Sequence, residues 1–137
     1  MLKRLTLGIV ILGIIAVSLA ACSRSTPTGQ QPVEILSVKG PFEPYTPAGP
    51  SVEITLENTS VRNIISLNAT LELTKEFNFK FDVSPSKPLL PAETISSRLI
   101  LIGGGFSTET SYPLQIKGEI EDGTTFDYTE QVQIIEP

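Results

Sequence analysis

Beyond Gln31 the chain alternates between apolar and polar residues with a period of two. Val33, Ile35 and Val38 recur through Val33 to Lys39. From Ser51 to Glu57, Val52, Ile54 and Leu56 oppose Ser51, Glu53, Thr55 and Glu57. A third run carries Ile65, Leu67, Ala69, Leu71 and Leu73 on one parity, and a fourth sets Phe77, Phe79, Phe81 and Val83 against Glu76, Asn78, Lys80 and Asp82. Thr94 to Ile102 is apolar at Ile95, Leu99 and Leu101. Tyr112, Leu114, Ile116, Gly118 and Ile120 share one face of the next run, and Phe126, Tyr128, Val132 and Ile134 one face of the last. A period of two is the spacing of one face of a strand. The runs are separated by Gly, Pro, Asn, Ser and Asp, and none has a helical period. They predict an all-β fold, a single antiparallel sandwich of about seven strands.

The last two runs fix a register. A two-residue turn at Asp122-Gly123 would pair Glu121 with Thr124 and set Glu119 opposite Phe126 on one face. That register scatters apolar residues over both faces, which a half-buried sheet resists. A three-residue loop, Glu121-Asp122-Gly123, pairs Gly118 with Phe126 and Ile116 with Tyr128 instead. It requires Gly123 in the left-handed region, as part of a G1 bulge. Glu130 then falls on the inward parity, which calls for a bulge or for an edge strand protected by an inward charge.

The first residues follow a different pattern. Lys3 and Arg4 precede a stretch from Leu5 to Ala21 that carries no charge and is dominated by Leu, Ile, Val, Ala and Gly. This is the layout of an export signal, with its positive end retained inside. At its end, Leu19-Ala20-Ala21-Cys22 resembles the lipobox of bacterial lipoproteins. The resemblance implies cleavage after Ala21, a diacylglyceryl thioether on Cys22 and acylation of the new N-terminus. Ser23 follows, not the Asp that in many such proteins implies inner-membrane retention. The alternative is an uncleaved helix, since Leu5 to Ser23 is barely long enough to span a bilayer. Both readings place the remainder outside the cytoplasm. The chain is thereby divided into a leader (1–21), a lipidated Cys22 with a polar tether to Pro32 (22–32), and the sandwich (33–137).

Composition narrows the chemistry. Of 137 residues, 10 are basic and 15 acidic, for a net charge of −5, and the leader would take Lys3 and Arg4 with it. An acidic surface without a basic stretch argues against nucleic acid and against headgroup docking. There is no His and one Cys. His-dependent triads and His-metal sites are therefore excluded, and the fold cannot rely on an internal disulfide. Apart from Glu130, every carboxylate lies on an outward parity or in a turn. No residue set points to a catalytic site, a cofactor, a metal or a small-molecule substrate.

The remaining features concern contact. Pro41, Pro44, Pro47 and Pro50 recur every three residues, the period of a polyproline helix, and would align Phe42 with Tyr45. Gly103-Gly104-Gly105 lacks what a phosphate loop needs and predicts a flexible connection, leaving Phe106 as an exposed apolar tip. Phe42, Tyr45 and Phe106 are the candidate partner contacts, set against the plainer reading in which such aromatics complete the core. Glu119, Glu121, Asp122 and Asp127 gather at the last hairpin without an EF-hand pattern, and read as a solvated acidic face rather than a Ca²⁺ site. Asn58-Thr59-Ser60 and Asn68-Ala69-Thr70 match the glycosylation sequon, and the first also reads as a turn.

From Val52 to Ile102 the chain resembles small immunoglobulin-like modules of bacterial and archaeal surface proteins. The likeness rests on Val52-x-Ile54-x-Leu56-x-Asn58-Thr59-Ser60, on Ile64-Ile65, and on Leu90-Pro91-Ala92-Glu93. Ser60 and Ala92 stand where such modules more often have Gly. Tyr112 is similar to the tyrosine corner of these sandwiches. A second resemblance is to stress-related LEA-2-type domains. Neither supplies a catalytic residue. The expectation is a non-enzymatic binding or assembly module, lipid-anchored on the extracytoplasmic side of a membrane and meeting an envelope protein. The alternative is a structural or stress-protective envelope protein without a specific ligand.

Overall fold

The computed structural model describes residues 31–43 and 47–137. Seven strands form it: β1 Val33–Lys39, β2 Ser51–Asn58, β3 Ile64–Glu72, β4 Glu76–Lys80, β5 Thr94–Ile100, β6 Ser111–Ile120 and β7 Thr125–Gln133. They make two antiparallel sheets, ordered β1-β2-β5 and β4-β3-β6-β7. This is an all-β sandwich. Relative to the constant-type immunoglobulin order, the fourth strand has moved to the sheet of the third.

The inward parities close a filled core. Val52, Ile54 and Leu56 face Leu71, Leu114 and Ile116, all without exposed surface. At about 25 cal/mol per Å² of apolar area removed from water, such residues dominate the stability. Two bulges adjust the sequence pattern. In β1 the register shifts between Ile35 and Ser37, which leaves Leu36 outside and brings Val38 into the core. In β3 it shifts between Ile64 and Ser66, so Ile64 is fully buried and Ile65 only partly. A bulge adds a residue and reverses parity beyond it, which strict alternation through Ile65 does not foresee. The fourth run is also cut short, because Val83 N–H turns back onto Phe81 O at 2.8 Å.

The predicted hairpin register is present. Gly118 pairs with Phe126 and Ile116 with Tyr128. Gly123 has φ +91°, and its N–H donates to Ile120 O at 2.9 Å. β7 is the outermost strand of its sheet, and Glu130 is exposed there on the inward parity. After β7, Ile134 is buried, and Ile135 bridges β1 in parallel: Ile135 N–H donates to Val38 O and Gly40 N–H to Ile135 O, both at 2.9 Å. Tyr128 hydroxyl donates to Val33 O near the other end of β1. The two sheets are thus stitched at both ends of one side.

Candidate functional site

The strands run between two poles of different chemistry. At the pole where Val33 begins β1 lie the β2–β3 turn, the segment leading into β5 and the last hairpin. Asn58 is its centre, with no exposed surface. Its amide nitrogen donates to Arg62 O at 2.8 Å and Leu89 O at 2.9 Å, and its Oδ1 accepts from Ser60 N–H and hydroxyl at 2.9 and 2.7 Å. Its main chain bonds Glu93 O and Ala92 N–H, while Thr59 N–H donates to Pro32 O. Ala92 holds φ +65°, in the left-handed region that favours Gly. A fully used amide at Asn58 leaves no nitrogen for a glycan, whereas Asn68 of the second sequon is exposed.

The opposite pole carries the candidate contacts. Phe42 N–H donates to Ser51 O at 3.0 Å, continuing the pairing of β1 with β2 past Pro41. Phe42 reaches β5, where the Arg98 guanidinium lies 4.0 Å from the ring centroid. Arg98 also bonds Glu53 at 3.2 Å. Ile100, the register partner of Ser51, is 41% exposed, and Ile102 beyond it 62%. A shallow pocket beside Phe42 is lined by Pro41, Glu43, Glu136 and Pro137. The geometry is a charged guanidinium stacked on an aromatic ring with aliphatic side chains next to it, a composition common where proteins meet.

Several expectations need correction here. Phe106 is not a free tip: it is half-buried and packs on the core cluster. The glycine run is not simply flexible, because Gly103 has φ +71° and a Cβ on Gly104 would lie 2.5 Å from Phe77 Cζ. The described parts of the proline segment, 40–43 and 47–50, are not polyproline: Phe42 N–H bonds to Ser51 O beside β2, and Pro47-Ala48 is a turn. Tyr45 and Cys22 lie outside the described residues. Ile100, Ile102 and Arg98 were not singled out by the sequence pattern. The available signal was Ile at two outward positions immediately after Arg98.

Tyr112 does form a tyrosine corner: its hydroxyl accepts Ser107 N–H at 2.8 Å. The acidic hairpin does not converge. Asp122 pairs with Arg62 at 3.6 Å, and Thr124 N–H donates to it at 2.9 Å, which holds its carboxyl below the usual range. Asp127 accepts from Gln115 at 2.8 Å and lies 3.9 Å from Lys117. Among the described residues no three His, Cys, Asp or Glu gather as metal ligands do.

No family model matches the chain. No curated protein matches it either. Among solved structures, the archaellum periplasmic stator protein FlaG from Sulfolobus acidocaldarius is similar, with a TM-score of 0.39 and 14% identity, covering 72% of this chain and 97% of that one.

Proposed function

We propose that this protein is a lipid-tethered, extracytoplasmic binding module without enzymatic activity, which meets an envelope protein through the pole that carries Phe42, Arg98, Ile100 and Ile102. The observation that carries the reading is the position of this patch. Val33, where the chain from Cys22 joins the sandwich, lies at the other end of the strands. β2 spans 8 residues, and at roughly 3.3 Å per residue this places the patch about 26 Å from that junction. A module held at one end, with an aromatic–guanidinium stack flanked by exposed Ile100 and Ile102 at the other, is arranged to reach outward. Phe42 and Arg98 are pre-stacked, so little side-chain freedom remains to be lost on contact. Two acyl chains on Cys22 would hold the chain stably, since each buried CH₂ contributes about 0.8 kcal/mol.

Two measurements test the two halves of the proposal. Intact mass of membrane-extracted protein should give a chain beginning at Cys22 with added acyl groups, lost in Cys22→Ala. A full-length unmodified mass rejects the anchor. For the patch, a photo-crosslinking residue placed at Ile102 should capture one discrete envelope protein in cells, and one placed at Thr129 should not. Equal yield from both positions, or none from either, leaves a structural envelope protein as the better account.

A further inference from the structure

The sandwich has four sheet edges, and three of them are guarded. β7 carries the inward-parity Glu130, and its continuation is paired to β1 at Ile135. β1 is interrupted by the bulge at Leu36 and bonded to Ile135 and Tyr128. β4 is only 5 residues long. Bulges, inward charges and short strands are the means by which edges avoid pairing with other chains. β5 has none of these. It runs 7 residues, Thr-Ile-Ser-Ser-Arg-Leu-Ile, with no proline, no bulge and no inward charge.

The register shows which groups β5 offers. Asn58 N–H donates to Glu93 O and Leu101 N–H to Pro50 O. Odd-numbered residues between them therefore direct their main chain to β2, and Thr94, Ser96, Arg98 and Ile100 direct theirs outward. The N–H groups of Ser96 and Arg98 meet no main-chain acceptor among the described residues. Ile95 and Leu99, on the inward parity, remain half-exposed along this margin. Behind them, Ser97 hydroxyl donates to Lys80 O at 2.8 Å and braces β5 on β4.

We infer that β5 pairs with β5 of a second copy of this chain, antiparallel, about a two-fold axis at Ser97. The sequence of the edge chooses this occupant. Outward-directed groups pair only with outward-directed groups, so the register moves in steps of two. Setting Arg98 against Arg98 opposes two guanidinium groups, which is unfavourable. Setting Ser96 against Ser96 leaves Leu99 and Ile100 unpaired. With Ser97 on the axis all seven residues overlap. Ile95 then faces Leu99 of the other copy, Thr94 faces Ile100, and Arg98 faces Ser96. The half-exposed Ile95 and Leu99 cover each other twice, as an isologous interface demands. The two three-stranded sheets become one of six strands. The inference names a partner for the binding module and rests on that reading only in that the chain works by contact. It needs neither the lipid nor the Phe42 patch.

Disulfide trapping on the full-length chain in detergent tests it, with Cys22→Ala in every variant so that the introduced thiol stands alone. Across the axis Ser97 is a non-hydrogen-bonded pair with Cα atoms about 4.5 Å apart, within disulfide reach. Ser97→Cys should give covalent dimer at least tenfold above Thr129→Cys on the β7 edge and above Ser96→Cys. Adding Ser96→Pro should abolish it, because the Ser96 N–H points away from β2 and its loss spares the sheet. Dimer from Ser97→Cys no greater than from Thr129→Cys overturns the inference. Dimer that survives Ser96→Pro also overturns it, and a larger yield from Ser96→Cys overturns the register. Should Ser96→Pro fail to fold, light scattering replaces it. The otherwise unaltered chain should be a dimer and Ser97→Glu, an inward charge like Glu130, a monomer; equal masses overturn the pairing. Loss of the β5 dimer with capture at Ile102 intact rejects only this inference, and the converse rejects only the Phe42 patch.

Discussion

The two poles are built from the same strands and differ in what they spend their polar groups on. At the Val33 pole, Asn58 uses its side-chain amide and both main-chain groups to hold three segments together. At the Phe42 pole, Arg98 stacks on Phe42 with Ile100 and Ile102 exposed beside it, whereas the exposed aliphatic residues of the Val33 pole, Val61 and Leu90, stand beside no such stack among the described residues. Buried polar networks specify a structure when every member is satisfied, and they are costly to break. Surface aromatics and arginine add little to folding and remain free for contact. The first pole keeps the fold, and the second carries the proposed contact.

The largest expected effect separates the poles. Asn58→Ala removes two donated and two accepted bonds at a fully buried site, while Leu89 O keeps the Ile64 N–H and Arg62 O the Ser60 hydroxyl, and at about 1 kcal/mol per bond should cost about 4 kcal/mol of unfolding free energy. A denaturant titration showing less than about 1 kcal/mol would erase the contrast. Next comes Tyr128→Phe, which cuts the tie from β7 to Val33 and should cost about 1 kcal/mol. Burial, and then the Glu130 charge, raise the Tyr128 pKa above the ordinary 10.0. A pKa higher in the folded than in the unfolded protein stabilises fully below the unfolded value and is lost as pH rises through the folded one. Stability should therefore fall above pH 10 in the unaltered protein, and less steeply in Tyr128→Phe, as thermal midpoints against pH will show.

At the Phe42 pole the effects on folding should be smaller. Phe42→Ala and Arg98→Ala should each shift unfolding by no more than about 1 kcal/mol, because the ion pair and the stacked ring are partly exposed. The same variants should weaken capture from Ile102 at least fivefold. A large folding effect with unchanged capture would make Phe42 a core residue and remove it from the proposal. The smallest change has the opposite sign. Ala92→Gly relieves a left-handed residue at the Val33 pole and should gain up to about 1 kcal/mol, the strain relieved less the entropy glycine adds to the unfolded chain. Destabilisation by this variant would mean that the Ala92 methyl is packed rather than strained.

Alternation alone located every strand to within a few residues, and apolar parity fixed the β6–β7 register and the need for Gly123 at positive φ. Both are local consequences of a period of two and of turn geometry. Tyr112 and the Asn58 turn were also legible, because the bond of Tyr112 to Ser107 and those of Asn58 to Ser60 and Arg62 lie close in sequence, whereas the bonds of Asn58 to Leu89, Ala92 and Glu93 were not legible. The bulges at Leu36 and Ile65 were not, since each is decided by what the opposing strand buries. Phe106 and the glycine run were misplaced for the same reason: whether an aromatic caps the core or stands free depends on elements far away in sequence. The fold class and the strand positions were thus determined by the sequence. Which edge is left unguarded, which ring meets Arg98 and which aromatics are covered were decided only when the two sheets closed on each other, because burial is a property of the assembled layers and not of any one strand.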